Sequence, residues 1–392
     1  MTNQNHTPFS LYIHIPFCAS ICGYCDFNTY TAQQLGGGIS QDSFHELLIR
    51  ELEIASRTLE APAVSTVFIG GGTPTLIGSD SLTQILRGIE KYFPMNPDVE
   101  ITTEANPDSV NAQMLTELRQ GGFNRISFGM QSVAPAVLAT LQRTHTAGAS
   151  AQAATWAREA GFEHVNLDLI YGTPGETDSD VRDSVNVCID AGADHVAAYS
   201  LIVEPGTAMA RAVNSGVLPP PDDDACADRH NIIDTMLQRA GFNWYEVSNW
   251  AKPGGQSAHN QVYWSSANWW GVGPGAHSHV NGRRWVNHKH PATYAKAMEN
   301  IAMENIAMEK GEALHSDTEE LTPEQIHVEK VMLALRTRAG LPVGELDNQE
   351  LSRAKEFARQ GVIDPVEFAS GVVRVTDSER LLADRVIREL LG

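Results

Sequence analysis

The chain has few basic residues for its length and no long apolar run. Among 392 residues, 28 are Lys or Arg and 48 are Asp or Glu, which gives a net charge of -20. A chain with this excess of negative charge repels polyanions that are bound mainly through phosphate contacts. Nucleic acids and anionic membrane surfaces are therefore excluded as general partners.

Membrane-spanning and targeting segments are also missing from the sequence. No apolar stretch approaches the roughly 18 residues that a membrane-spanning helix needs. The first Lys or Arg is Arg50, so the N-terminal region has neither the basic start of a signal peptide nor an Arg-rich transit helix. We therefore expect a cytoplasmic protein whose mature chain starts near Met1.

Cysteine is scarce, and its distribution excludes a disulfide framework. The five cysteines are an odd number, and three of them, Cys18, Cys22 and Cys25, lie within eight residues. Cys188 and Cys226 fall in predicted helices, where we interpret them as buried or incidental thiols.

The chain has the composition of a globular protein, with 42% hydrophobic and 19% charged residues. Short apolar segments typical of strands recur at Leu11–Ile15, Thr66–Gly70, Glu100–Glu104, Arg125–Gly129, His164–Gly172 and His195–Leu201. Segments with helical periodicity follow them at Phe44–Leu59, Leu82–Phe93, Asn111–Gln120, Ala149–Ala160, Asp178–Ala191 and Asp224–Ala240. Six such β/α units predict an α/β fold with a partial TIM-like (β/α)6 barrel; a doubly wound open sheet is the alternative.

The chain divides into three expected parts, residues 1–241, 242–313 and 314–392. Six of the seven tryptophans lie between Trp244 and Trp285, which indicates a domain junction or a surface for something large and flat. The repeat AMENIAMENIAME at 297–309 places its apolar residues all around a helix, so we expect a solvated helix, with an interaction surface as the alternative.

The last part has the element order of a winged helix. A capping box at Thr322–Gln325 opens a first helix, a second runs to about Gln360, and a third ends at Leu390. Between the last two we predict a hairpin formed by Val366–Phe368 and Val372–Val375. Acidic residues offset the arginines of the final helix, so a packing module is favoured over a DNA-reading one.

The spacing Cys18-x3-Cys22-x2-Cys25 directly follows the first predicted strand. Closely spaced thiolates can hold a metal centre, but a structural zinc site needs a fourth ligand, and none stands nearby at the usual spacing. Three cysteines suit a 4Fe-4S cluster in which one iron stays open to a small-molecule chelate.

This spacing resembles that of the radical S-adenosylmethionine (SAM) enzymes. The surrounding sequence is similar to that of one family, the oxygen-independent coproporphyrinogen III oxidases and their relatives, the haem chaperones. The residues that carry this resemblance are Tyr12-Ile-His-Ile-Pro-Phe-Cys18, Tyr24 and the run Gly70-Gly-Gly-Thr-Pro-Thr75. The resemblance extends from about Leu11 to the end of the chain.

The resemblance implies a SAM pocket at the carboxyl ends of the predicted strands, where barrel side chains converge. The matching positions are Tyr12, Tyr24, Gly71, Gly72, Thr73, Glu104, Gln131, Arg143 and Asp168. Arg143 is suited to the SAM carboxylate, and the acids and the amide to its ammonium and ribose hydroxyls.

Two departures separate this chain from the oxidases of the family. The oxidases carry another cysteine two residues after the third, whereas this chain has Asp26-Phe27, and they have a longer extension before the motif. The segment His259-Asn-Gln-Val-Tyr263-Trp264 reads HNxxYW, a pattern of the haem-chaperone branch. We therefore expect a protein that binds a 4Fe-4S cluster, SAM and haem and passes haem to an acceptor protein. The acceptor is expected to be either a membrane-associated protein or one that is not attached to a membrane.

The expected haem site lies in the segment after the barrel. His259 is the predicted axial ligand, with Tyr263 and Trp264 as a porphyrin wall, and His277, His279, His288 and His290 are the other candidates. The basic run Arg283–His290 suits haem propionates, although it is equally consistent with a solvated turn. The alternatives in function are a coproporphyrinogen III oxidase and a haem-binding scaffold without redox chemistry; the chain is expected to be a monomer or a dimer.

Overall fold

The structure is a computed structural model that describes residues 8–36, 39–146, 148–304 and 314–392. Its centre is a run of six parallel strands in chain order, each hydrogen-bonded to the next. They are β1 (Phe9–Ile15), β2 (Val64–Gly71), β3 (Met95–Ala105), β4 (Arg125–Gln131), β5 (His164–Tyr171) and β6 (His195–Ser200). Their aliphatic side chains are buried almost continuously, as parallel strands require. All six predicted strands are confirmed.

Helices connect these strands. They are α1 (Phe44–Thr58), α2 (Gly78–Tyr92), α3 (Ala112–Gln120), α4 (Pro135–Thr140), α5 (Ala149–Glu159), α6 (Asp178–Asp190), α7 (Ala208–Asn214) and α8 (Asp223–Arg239). Six of them are the predicted crossover helices, and the short α4 and α7 are additional. Neighbouring helices pack against one another outside the strands.

The six strands form a partial barrel, because β6 does not return to pair with β1. Further strands extend the sheet at both ends instead. Beside β6 lie β8 (Asn249–Ala251) and β7 (Asn243–Glu246), and beside β1 lie β9 (Asn268–Val272), β10 (His277–Val280), β11 (Arg283–Asn287) and β12 (His315–Glu320). A short helix, α9 (Ala258–Trp264), connects the two extensions. The (β/α)6 prediction is confirmed, whereas the extensions were not predicted.

Most of the clustered tryptophans pack inside these extensions. Trp244, Trp250, Trp270 and Trp285 are buried, and the rings of Trp270 and Trp285 meet edge to face at 4.8 Å. Their main contribution is therefore to attach the added strands to the barrel.

The repeat segment corrects one prediction. Helix α10 (Pro291–Glu304) buries Met298 and Ile301 against Ile54 of α1 and Leu314. The prediction of a solvated helix is therefore wrong over this stretch. Tertiary packing buries one face of the helix, and the repeat does not show which face, because its apolar residues lie all around the helix axis. Residues 305–309 of the repeat lie outside the described residues.

The C-terminal part has its own hydrophobic cluster, formed by residues between Val331 and Leu390. Its elements are α11 (Pro323–Ala334), β13 (Leu341–Pro342), α12 (Asn348–Gln360), α13 (Pro365–Ser370), β14 (Val372–Val373) and α14 (Ala383–Leu391). The first, second and last predicted helices are present.

The predicted hairpin in this part is wrong. Asp364 caps the backbone N–H groups of Val366 and Glu367 and thereby starts α13, with Pro365 in its first turn. Gly371 ends this helix in the left-handed conformation, and β14 pairs with β13 rather than with a strand at 366–368. The Asp-Pro pair is itself a helix-start pattern, and the β-branched Val366 obscured it.

No helix in the described part of the chain is both long and apolar enough to cross a membrane.

Candidate functional site

A cavity of about 620 Å³ opens at the carboxyl ends of the barrel strands. We call it the first cavity. Most of the predicted site residues line it: Cys18, Cys22, Tyr24, Cys25, Gly71, Gly72, Thr73, Glu104, Gln131, Arg143 and Asp168. Parallel strands place residues that are distant in sequence at one mouth, and this explains the convergence.

The cysteine loop crosses the mouth directly after β1. The backbone N–H of Cys18 donates to Tyr30, and that of Gly23 donates to Leu141, so the loop is fixed at two points. A Cβ atom on Gly72 would collide with the carbonyl of Phe17 and would lie 2.9 Å from the Cys18 sulfur. Glycine at this position therefore lets the loop rest against the end of β2.

The three thiols are half-buried and face one cavity. Burial raises the pKa of Cys18, and it raises that of Cys25 to about 11 with a further contribution from the neighbouring thiols. Among the described residues, no three His, Cys, Asp or Glu side chains are arranged to hold a single metal ion. In a 4Fe-4S cluster each cysteine binds a different iron, so three free thiols that face one cavity are the ligand set that such a cluster uses.

Two carboxyl groups lie deep in the first cavity. Glu104 ends β3 and accepts a hydrogen bond from the backbone N–H of Gly71 at 3.0 Å. Burial and the nearby Asp168 raise the pKa of Glu104 to about 8. Asp168 accepts hydrogen bonds from Ser127 and Asn166, yet burial still raises its pKa to about 6. A bound cation or a hydroxyl donor would therefore stabilise the ionised form of these two carboxyl groups.

Arg143 is the cation of this cavity. Its Nη2 donates to the Gly129 carbonyl at 2.6 Å, and Nη1 lies 3.5 Å from the Cys22 sulfur. Its buried Nε has no hydrogen-bond partner. Gln131 stands nearby with a φ of 66°, a conformation that non-glycine residues seldom adopt outside functional sites. An unsatisfied buried N–H next to a cavity fits an anionic ligand group such as a carboxylate.

Strand β6 also contributes to the first cavity, which was not predicted from the sequence. Tyr199 and Ser200 end that strand, Ile202 follows it, and all three line the opening; Ile202 is 67% exposed. The signal was available, because these residues occupy the carboxyl end of a predicted strand, but a tyrosine and an isoleucine suggest no particular chemistry there.

The HNxxYW segment forms α9, with Ser257 as its cap. His259 is buried, and its ring nitrogens are hydrogen-bonded to Thr66 at 2.7 Å and to the Tyr263 hydroxyl at 2.8 Å. Burial lowers the pKa of His259 to about 3, so its ring is neutral. His259 lies outside the first cavity, and in this conformation it offers no unengaged nitrogen to an iron.

The other two aromatic residues of the segment separate. Trp264 lines neither of the two cavities. Tyr263 lines a second cavity of about 680 Å³, as does Tyr12. We call this the second cavity; it shares Asp26, Phe27, Thr29, Gly71 and Glu104 with the first.

Comparison with known proteins matches this architecture to one family. The model of the radical SAM superfamily matches residues 12–188. The chain is 48% identical over 385 residues to the heme chaperone HemW of Mycobacterium tuberculosis, covering 98% of this chain and 95% of the relative. The chain belongs to the HemW family of the radical SAM superfamily.

Other members of the family are similar over much of their length. The heme chaperone HemW of Bacillus subtilis is 35% identical over 98% of this chain and 99% of its own. That of Escherichia coli is 37% identical over 72% of this chain and 75% of its own. The superfamily uses a 4Fe-4S cluster and SAM, and the first cavity contains three thiols and a polar pocket beside them.

Among solved structures, the coproporphyrinogen III oxidase HemN of Escherichia coli has the same fold. Its TM-score is 0.80, with 23% identity over 98% of this chain and 90% of that one. The partial barrel with its extensions and C-terminal part is therefore shared between HemN and this chain.

Proposed function

We propose that this protein is a haem chaperone: it binds haem and transfers it to an acceptor protein, and it carries a 4Fe-4S cluster and SAM. The observation that carries the proposal is the pair of cavities at the barrel mouth. One holds three thiols and polar groups suited to SAM, and the other is lined by aromatic residues. The near full-length likeness to HemW chaperones supports the same function.

In this proposal Cys18, Cys22 and Cys25 hold the cluster. Arg143 binds the SAM carboxylate, and Glu104, Gln131 and Asp168 bind its ammonium and ribose hydroxyls, while Gly71, Gly72, Thr73 and Tyr24 shape the pocket. When bound, and when the cluster is reduced by an external one-electron donor, the cluster would supply the electron that cleaves a carbon–sulfur bond of the SAM sulfonium. In this proposal the residues of the chain bind and orient SAM.

The cluster assignment is tested by anaerobic reconstitution. Cys22→Ala should lose the visible absorbance of the cluster, because that iron loses its thiolate. Cys188→Ala is the matched control, since Cys188 is buried in α6 and does not line the cavity. An intact cluster in Cys22→Ala would remove this loop from the assignment.

The alternative function is an oxygen-independent coproporphyrinogen III oxidase, which the fold shared with HemN permits. Phe27 argues against it. The residue stands where the oxidases have a further cysteine, and its side chain is 65% exposed at the wall shared by the two cavities. An aromatic ring cannot perform the redox or acid–base chemistry of a thiol.

One experiment separates these functions. The reconstituted protein is incubated anaerobically with coproporphyrinogen III, SAM and a reductant, and the same preparation is titrated with haem. Haem binding without formation of protoporphyrinogen IX supports the chaperone, and turnover would establish the oxidase. The remaining alternative is a haem-binding scaffold without redox chemistry. It would be supported if the protein bound haem but could be loaded with neither a cluster nor SAM.

The partner of the protein in this proposal is a haem-accepting protein. We infer a cytoplasmic location from the sequence. Transfer is tested by mixing the haem-loaded protein with a haem-depleted haemoprotein and measuring recovery of the acceptor's spectrum. No recovery above that seen with free haem would contradict a chaperone role.

A further inference from the structure

The second cavity contains an imidazole that the proposed SAM chemistry does not use. His277 begins β10, its side chain is exposed, and it lines this cavity. In the described part of the chain, neither of its ring nitrogens has a hydrogen-bond partner. Partial burial and the charges of Lys289 and Arg284 lower the pKa of His277, which favours the neutral ring at pH 7. Neutral imidazole is the form that binds iron.

The other histidine of the second cavity is already engaged. His14 is hydrogen-bonded to the Tyr12 hydroxyl through Nδ1 and to the Asn28 carbonyl through Nε2, both at 2.9 Å. Binding of iron by His14 would break one of these buried hydrogen bonds and leave its partner unsatisfied. Of the two histidines that line the cavity, His277 is therefore the one able to bind a metal without rearrangement.

His259 does not line this cavity, but it is hydrogen-bonded to Tyr263, which does. The Thr66 hydroxyl donates to Ser10, so Nδ1 of His259 donates to Thr66 and its Nε2 accepts the Tyr263 hydroxyl proton. This chain of hydrogen bonds orients Tyr263, whose ring meets Trp269 edge to face at 4.8 Å. His259 is thus a positioning residue for the aromatic wall.

The rest of the lining includes groups that haem can contact. Tyr12, Phe27, Tyr263 and Trp269 supply aromatic surface, and a cavity of about 680 Å³ lies within the usual range for small-molecule sites. Lys289 is exposed at the same cavity and can pair with a propionate. Haem needs these three features together: flat apolar contacts, an axial ligand and a cation at its edge.

We propose that haem binds in the second cavity with His277 as its axial ligand, Lys289 at a propionate and His259 as the residue that positions Tyr263. The proposal rests on the proposed function, because it assumes that the protein binds haem. Haem in this position would lie against Gly71 and Glu104, which also line the first cavity, so haem and SAM would share a wall.

The test is a haem titration of the anaerobically reconstituted full-length protein, followed through the Soret band and the electron paramagnetic resonance of ferric haem. His277→Ala should weaken haem binding at least tenfold and remove the spectral signature of imidazole ligation. Added imidazole should restore that signature, because the cavity remains. His288→Ala is the matched control, since this histidine follows the neighbouring strand and does not line the cavity. Circular dichroism and cluster absorbance report whether each variant is folded.

The outcomes separate this proposal from the proposed function. Wild-type spectra and affinity in His277→Ala would overturn the assignment of His277. Loss of the imidazole signature in His259→Ala, with retention in His277→Ala, would establish the ligand expected from the sequence instead. If the wild-type protein binds no haem, the proposed function itself fails. Lys289→Glu should weaken binding without changing the ligation signature, and unchanged affinity would remove Lys289 from the site.

Discussion

Arg143 is the residue whose surroundings give the sharpest expectation for SAM. Its Nε is buried without a partner, and its guanidinium lies beside Cys22 at the first cavity. Arg143→Ala should weaken SAM binding by about 1.5 to 3 kcal/mol, the range for a hydrogen bond to a charged group. Calorimetry on cluster-loaded protein measures this difference.

Two further variants separate charge from geometry at Arg143. Arg143→Lys keeps the charge but not the planar fork of donors, so we expect an intermediate loss of affinity. Arg119→Ala removes a half-buried arginine that pairs with Glu163 and does not line the first cavity, so it should leave SAM binding unchanged. Equal affinities in all four proteins would remove Arg143 from the SAM site.

Glu104 gives a pH-dependent expectation. Its pKa of about 8 means that the carboxyl group is mainly protonated at pH 7 in the empty cavity. A bound ammonium group or hydroxyl favours the carboxylate, so SAM binding at pH 7 should release close to one proton. Calorimetry in two buffers of different ionisation enthalpy detects that proton.

The control for the proton release is Glu104→Gln. This variant should bind SAM with heats that depend less on the buffer than those of the wild type, because Asp168 is then the only one of the two carboxyl groups left to titrate. Buffer-independent heats in the wild type would show that Glu104 does not ionise on binding, and its predicted contact with SAM would then be wrong.

Single residues were predictable from sequence where chain order determined their position. The cysteines and Arg143 follow parallel strands, Glu104 lies at the end of β3 and Asp168 lies within β5, so their convergence follows from the fold. The environment of His259 was not predictable, because Thr66 is 193 residues away and belongs to another strand. A motif identifies which residues occur together, whereas hydrogen-bond partners depend on three-dimensional packing.

At the scale of elements, a buried carboxyl group ties α1 to the added strands and α10. Glu51 accepts hydrogen bonds from the Gly273 backbone, the Asn287 amide and the Tyr294 hydroxyl. Burial outweighs these three donors and raises the pKa of Glu51 from 4.5 to about 7. The folded protein therefore retains a proton between these pH values that the unfolded chain has already lost.

This difference fixes the sign of a stability prediction. The contribution of neutral Glu51 is fully present below pH 4.5 and is lost as the pH rises through 7. The free energy of unfolding should fall by a few kcal/mol from this group between pH 5 and 8. In Glu51→Gln this fall should be smaller, whereas Glu46→Gln, on the exposed side of α1, should behave like the wild type. Urea unfolding at both pH values tests this, and parallel curves for Glu51→Gln and the wild type would contradict it.

Elements were predicted well where periodicity and length agreed. The barrel strands and crossover helices combine apolar runs with long helical stretches and C-terminal glycines, so local pattern and tertiary fold favour the same structure. Strands β7 to β12 are mostly three to five residues long and rich in Trp, His and charged residues, so their pattern was too short to identify. In the C-terminal part, β-branched residues near a glycine suggested a hairpin, although the capping chemistry of Asp364 determines a helix.

At the scale of the whole molecule, the sheet and the C-terminal cluster are connected by specific contacts. Strand β12 pairs with β11, although it follows the expected boundary at residue 314. The backbone N–H of Arg338 donates to Tyr245, and Arg284 pairs with Glu329 of α11. The division into 1–241, 242–313 and 314–392 stays a prediction, since these contacts cross it without measuring how independently each part folds.

Arg380 contacts three residues outside the C-terminal part. It precedes α14 and is 7% exposed, and its guanidinium forms an ion pair with Asp234 of α8 at 2.7 Å. The same group lies 4.9 Å from the centre of the Trp244 ring and hydrogen-bonds to His230. Removing it leaves Asp234 with the Trp250 indole as a donor, so the carboxylate loses its charged partner but not every hydrogen bond.

Arg380→Ala should therefore destabilise the attachment of the C-terminal part more than the barrel. We expect about 1 to 3 kcal/mol, the cost of leaving a largely buried charged group short of a partner. Hydrogen exchange should become faster in α14 and stay unchanged in β1 to β6, because the barrel core does not depend on this ion pair. Arg385→Ala removes an exposed pair with Glu389 on α14 itself and should change neither region. Equal protection of α14 in Arg380→Ala and the wild type would show that the backbone contacts at Tyr245 and the Arg284–Glu329 pair hold the C-terminal part without Arg380.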